Sequence, residues 1–156
     1  MGTINNVKKF DAEFFGFSFE QAHTLTPEIR LLLEHSYEAI IDAGINPKQL
    51  RGKDTAVIVA SSYVELQNIF LYKTTQLKGH NLIGCNKSAL ANMISYHFDL
   101  KGPSYVVDTA CSSSLYALAA GYDCIMSGIC EDAIIGTANI CFTAVVNLQF
   151  SRLGIF

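Results

Sequence analysis

At 156 residues, half of them apolar and only 16% charged, with a net charge of -3, the chain is long enough for one domain with its own core and too oily for a disordered segment. The acidic balance argues against a general nucleic-acid binder, which needs a basic face. No apolar run reaches the roughly 18 to 20 residues that span a bilayer, and the opening MGTINNVKK lacks the apolar core of a secretion signal, so a cytoplasmic protein without a membrane span is expected. Cys85, Cys111, Cys124, Cys130 and Cys141 show neither C-x-x-C spacing nor a His-rich setting. Reduced thiols with no disulfide framework, no metal and no bound cofactor are the expectation.

Residues 1 to 25 carry Phe10, Phe14, Phe15, Phe17 and Phe19 among acidic side chains and read as an irregular segment that packs onto a core. A helix is expected from Pro27 to Ala43, with Thr26 as N-cap, Pro27 at the first helical position, Glu28 in the first turn and Gly44 as the stop. Its apolar stripe is Ile29, Leu32, Leu33, Tyr37 and Ile40; His35 lies beside it and His23 just before it, with structural or solvent roles expected. Asn46-Pro47 opens a turn, and Thr55 to Ala60, TAVIVA, is a continuous apolar run of the kind buried on both faces of a parallel sheet. Ser61 to Gly79 is amphipathic in part, with helix expected from Val64 to about Tyr72.

The most informative stretch is Ser104 to Ser127. Tyr105, Val106 and Val107 favour a buried strand, whereas Leu115, Leu118, Ala119, Tyr122 and Met126 recur at helical spacing. Between them, Asp108 to Ser114 is a run of small and hydroxyl side chains that can bend tightly and hold the first free N–H groups of the helix. A thiol at this point, Cys111, meets unpaired N–H groups and the positive end of the helix dipole, which favours the thiolate that nucleophilic catalysis needs. The same residue also reads as a small apolar side chain buried at a crowded turn. Glu131 to Ile140 is a further apolar strand followed by a small-residue turn. Helices alternating with strands, without repeat or linker, indicate a single α/β domain whose mostly parallel sheet is covered by helices.

The string DTACSSS, Asp108 to Ser114, preceded by LKGPS and followed by a helix rich in small residues, resembles the active-site segment of β-ketoacyl synthases, the condensing enzymes of fatty acid and polyketide assembly. A hydrolase elbow would place glycine two residues either side of the nucleophile, where this chain has Thr109 and Ser113. The opening VKKFDAEFFGFSFEQAHTLTPEIRLLLE, its QAHT string and the later GINPKQLRG resemble the ketosynthase domain of animal-type fatty acid synthases more than polyketide synthases. Asn81 to Leu100 is similar to the helix leading into the nucleophile strand, with Met93 where the family pattern has arginine and His97 where it has an aromatic residue. Gly136-Thr137-Ala138 stands where the family has paired glycines, so Thr137 would bring a branched side chain to a place of close backbone approach. The tail, from Val145, is similar to the family's strand and loop.

The resemblance implies a partial thiolase-like fold, its first half, without the opening strand and the C-terminal half. It makes Cys111 the nucleophile that takes an acyl group from the phosphopantetheine arm of an acyl carrier protein or domain. Malonyl thioester then loses carbon dioxide and condenses with the acyl-cysteine, and the complete enzyme is expected to be a homodimer. The family's two catalytic histidines lie in motifs like HGTGT and NxGH, and His23, His35, His80 and His97 match neither. Residues 1 to 156 alone are therefore expected to have negligible condensing activity. Two alternatives stand beside this one: a noncatalytic relic or dimer-docking module, and a cysteine thioesterase drawing its base from His80 or His97.

Overall fold

In the computed structural model, which describes residues 4–67 and 84–154, TAVIVA forms β1 (Thr55–Ala60), the central strand of a parallel sheet. It is flanked by β2 (Ser104–Val107) and β3 (Asp132–Thr137) in the order β2-β1-β3, with Ala60 in register with both Val107 and Thr137. The described helices are α1 (Phe19–Thr24), α2 (Pro27–Asp42), α3 (Pro47–Leu50), α4 (Ala89–Phe98), α5 (Ser113–Met126) and α6 (Ala144–Arg152). This is the expected α/β architecture, a parallel sheet covered by helices.

Side chains alternate across β1. Val57 and Val59 enter a cluster with Leu32 and Leu33 of α2 and Leu90 and Ile94 of α4, while Ala56, Ile58 and Ala60 pack with Ala117 and Cys124 of α5. Val57, Ile58 and Val59 are completely buried, each contributing about 1.5–3 kcal/mol of transfer free energy. β2 and β3 are only half-buried, because each lies to one side of β1 and among the described residues pairs with that strand alone.

α2 starts and stops where its residues require. Pro27 occupies the first turn, and past Ala43 the left-handed Gly44 (φ 75°) lets its own N–H reach Ile41 O and that of Ile45 reach Ile40 O. Thr26 has extended N-cap backbone but its hydroxyl makes no capping bond, and Glu28 is buried rather than facing water. α1 and α3 each begin with a reciprocal cap, Ser18 with Gln21 and Asn46 with Gln49. The aromatic segment packs onto the core only in part: Phe15 is buried, stacked on Phe10 at 5.2 Å and 4.9 Å from the His97 ring, whereas Phe14 and Phe19 are exposed and Phe19 opens α1 rather than an irregular stretch. Met93 packs partly against the same cluster.

The residues at helical spacing form α5 as expected, though not its buried face, and two other expectations are corrected. The buried face of α5 is Ser113, Ala117, Gly121 and Cys124, whereas Leu115 (71% exposed), Leu118, Ala119, Tyr122 (62%) and Met126 (67%) face outward. Small residues win that face because the helix lies so close to the sheet that a Cβ on Gly121 would stand 2.5 Å from Ile135 Cδ1. The tail forms α6 instead of a strand and loop. Thr137 is exposed and uncrowded; the close approach is at Gly136, where a Cβ would lie 2.9 Å from Leu32 Cδ2. The helix expected from Val64 appears at residues 65–67, and its remainder lies outside the described residues, as does His80.

Candidate active site

The carboxyl ends of the three strands converge on one edge, where Ser61 N–H donates to Val107 O and Ala138 N–H donates to Ala60 O. In open α/β sheets this is the edge at which ligands bind. Cys111 is on that edge, exposed, in the single 3-10 turn Ala110–Ser112 that runs straight into α5. The first turn of α5 receives no side-chain cap, so the thiol stands at the positive end of the helix among N–H groups without side-chain partners.

The hydroxyls of the motif do something other than cap α5. Ser113 Oγ, in a buried residue, accepts the Thr109 N–H at 2.8 Å and donates to Ala110 O at 2.6 Å; Ser112 Oγ donates to Thr109 O at 2.8 Å. They stitch the turn together from within. They do so because Ala110 is left-handed (φ 53°), which turns the Thr109 and Ala110 backbone toward the start of the helix. Asp108 Oδ1 accepts the Ala110 N–H at 3.1 Å, and its Oδ2 receives Lys87 Nζ at 2.6 Å. The hydrogen bond from Lys87, and after it the Ala110 N–H, hold the Asp108 carboxyl below the usual range.

The remaining candidates are not brought to this turn. Cys85, Cys124 and Cys130 are buried, and burial pushes the Cys85 and Cys130 thiols up; Cys141 is exposed. His35 pairs with Glu38 at 3.0 Å, and His23 stacks on Phe19. His97 packs against Phe15 and Phe98, where burial first and Arg51 second lower its pKa. That packing leaves the thioesterase alternative without His97 as a base beside Cys111. Among the described residues no group of three or more His, Cys, Asp or Glu could hold a metal, and no helix is long and apolar enough to cross a membrane. Sequence reasoning missed Lys87 and Ser62, which reach the turn from 21 and 48 residues away.

Comparison with known proteins agrees with this geometry. The family described as "Beta-ketoacyl synthase, N-terminal domain" matches residues 1–156. A fatty acid synthase of Anser anser anser is 49% identical over 153 residues, 98% of this chain and 44% of that protein. Probable polyketide synthase 8/35 of Dictyostelium discoideum is 43% identical over 137 residues, 88% of this chain and 5% of that protein. Among solved structures, the ketosynthase from module 6 of the bacillaene synthase of Bacillus subtilis 168 superimposes with a TM-score of 0.87 at 26% identity, covering 99% of this chain and 25% of its own. An oxazolomycin ketosynthase domain of Streptomyces albus JA3453 gives 0.83 at 30% identity, covering 98% and 27%. The chain thus spans less than half the length of these relatives. A family match along all 156 residues, with the thiol-bearing turn at the carboxyl edge of a parallel sheet, places the chain in the β-ketoacyl synthase N-terminal domain family.

Proposed function

We propose that Cys111 is the acyl-accepting nucleophile of a condensing enzyme of the fatty acid synthase kind. The observation that carries this reading is the exposed thiol in a strained turn at the start of α5, within a chain matched end to end by the family. The Cys111 thiolate attacks the carbonyl of an acyl thioester on a phosphopantetheine arm; the acyl–sulfur bond to the arm breaks, and the arm leaves as a thiol after taking a proton. Malonyl thioester then loses its carboxylate as carbon dioxide. The enolate carbon left behind attacks the acyl-cysteine, forming a carbon–carbon bond and returning the cysteine thiolate.

The Cys111 backbone N–H, at the opening of α5, is the candidate for one oxyanion donor. Enolate stabilisation in this family needs two histidines, and His23, His35 and His97 are all engaged elsewhere. The condensation therefore belongs to a larger unit, in which residues 1–156 form the first half. The outer face of α5, where Leu115, Leu118, Tyr122 and Met126 are all exposed, supports that reading, since a run of large apolar side chains on one face suits a covered surface. Higher identity to the goose fatty acid synthase than to the Dictyostelium polyketide synthase supports the fatty acid branch. An acyl carrier protein or domain as donor and a homodimeric complete enzyme follow from the same reading.

The test is acyl loading. The chain is incubated with a short acyl-pantetheine thioester and digested, and its adducts are located by mass spectrometry. An adduct on Cys111, lost in Cys111→Ser, with no β-ketoacyl product when malonyl thioester is added, is the expected result. Equal labelling of Cys111 and the other exposed thiol, Cys141, would overturn the reading.

A further inference from the structure

Lys87 lies just before α4, yet its ammonium reaches the nucleophile turn. Nζ is 2.6 Å from Asp108 Oδ2 and 3.3 Å from Ser62 O. The other oxygen of the same carboxylate accepts the Ala110 N–H at 3.1 Å, and Ser62 Oγ donates to Ala110 O at 3.5 Å. Both polar groups of the Ala110 backbone are thus tied to a network that Lys87 enters from outside the motif. Ala110 is the residue that needs holding: at φ 53° its Cβ is in the left-handed region that L side chains resist, and it directly precedes Cys111.

A carboxylate bound through one oxygen turns easily about its terminal torsion, which is broad; an ammonium on the second oxygen fixes its plane. On the reading of Cys111 as nucleophile, we propose that Lys87 is a positioning residue: it locks Asp108, Asp108 locks the left-handed Ala110 peptide, and that peptide sets where the Cys111 sulfur stands at the mouth of α5. The low pKa of Asp108, caused first by Lys87, keeps the carboxylate ionised in mildly acidic solution, so the lock is closed over the range in which a thiol titrates.

The experiment is alkylation by iodoacetamide between pH 5 and 9, each cysteine of the chain followed by mass spectrometry. Exposed Cys141 is the internal reference, and buried Cys85, Cys124 and Cys130 report whether the fold is intact. In the native chain Cys111 is expected to react faster than Cys141. Lys87→Met is expected to slow Cys111 roughly tenfold, the scale of a small misplacement of a reacting group, with Cys141 unchanged and the buried thiols still protected. Lys87→Arg, which keeps the charge and donors, is expected to restore most of the rate.

If Cys111 keeps its native rate and pH profile in Lys87→Met while remaining distinct from Cys141, the positioning role is refuted and the nucleophile reading stands. If Cys111 and Cys141 behave alike in the native chain, both fall. Should Lys87→Met unprotect the buried cysteines, Lys87→Gln replaces it in the same comparison; unprotection there too makes Lys87 a folding residue and overturns the inference.

Discussion

Glu65 Oε2 accepts the backbone N–H of Thr143 at 2.8 Å, across 78 residues of sequence, and the adjacent Phe142 N–H at 2.7 Å. Thr143 is the N-cap of α6, and its own hydroxyl makes no capping bond. The distant carboxylate supplies what the local side chain does not, a negative charge and an acceptor at the start of the helix. α6 has no fully buried residue, so a clamp at its N-terminus bears directly on how it is held. Glu65→Ala is expected to cost about 2–4 kcal/mol, because two N–H groups lose a charged acceptor, and Glu65→Gln roughly half that. Urea unfolding gives the stability, and faster hydrogen exchange at the Phe142 and Thr143 amides locates the loss. Unchanged exchange at those two amides would rule out the clamp.

Glu28, in the first turn of α2, is fully buried, and neither of its oxygens closes a hydrogen bond. Burial raises its pKa above the ordinary 4.5 and the nearby Glu65 charge adds to this; Thr26 and the helix's own N–H groups lie near enough to oppose the shift only in part. Below pH 4.5 the group is protonated in both folded and unfolded chains and stability is unaffected. As pH rises past 4.5 the unfolded chain ionises first, so folding loses stability until the folded value is passed. Glu28→Gln removes that loss. The variant is expected to match the native chain near pH 4 and to exceed it increasingly as pH rises toward 8, read from urea midpoints across the range.

What could be read in the sequence was whatever local chemistry decides. TAVIVA can hardly be other than a strand buried on both faces, and it is β1 residue for residue. The Pro27 start and Gly44 stop of α2 work through neighbours within five residues. The capping box of α1, Ser18 with Gln21, was equally local, though six residues inside an aromatic segment gave no period to show it. Where distant groups decide, pattern fails. α6 depends on Glu65, while its β-branched Val145 and Val146 favour a strand. The orientation of α5 is set by how closely the sheet admits Ala117 and Gly121, which a rule sending large apolar residues inward gets backward. At the site, the Cys111 turn follows from its own motif, but Lys87 arrives through strand pairing that places α4's approach beside β2's exit.

Ser113 holds the turn from its buried side, accepting the Thr109 N–H and donating to Ala110 O. Ser113→Ala leaves the Thr109 N–H without its acceptor and takes the shortest hydroxyl bond from Ala110 O, which keeps the Ser113 N–H and the longer Ser62 hydroxyl bond, and is expected to cost about 1–3 kcal/mol. The exposed Ser112 makes its hydroxyl bonds to Thr109, where water can take its place, so Ser112→Ala is expected to cost less than about 1 kcal/mol. Iodoacetamide labelling of Cys111 should follow the same order, slowed more by the Ser113 change. Equal unfolding midpoints for the two variants would show that the turn is held by backbone alone.

Two glycines separate rigid from yielding contacts. A Cβ on Gly102 would stand 2.5 Å from both C and O of Thr55 and 2.8 Å from Ala56 N, the backbone entering the central strand. None of those atoms can retreat without shifting β1. A Cβ on Gly121 would meet Ile135 Cδ1 at 2.5 Å, the end of a flexible side chain that can rotate away. Gly102→Ala is therefore expected to cost about 3 kcal/mol or more, while Gly121→Ala costs about 1 kcal/mol of overpacking, largely offset by the gain of about 1 kcal/mol in helix propensity. Leu118→Gln, on the outer face of α5, is expected to stay within about 0.5 kcal/mol of the native chain, since that side chain is exposed. Urea unfolding of the three variants orders them. A Gly121→Ala loss larger than that of Gly102→Ala would mean that the seat of α5 on the sheet, and with it the placing of Cys111, has less give than the entry to β1.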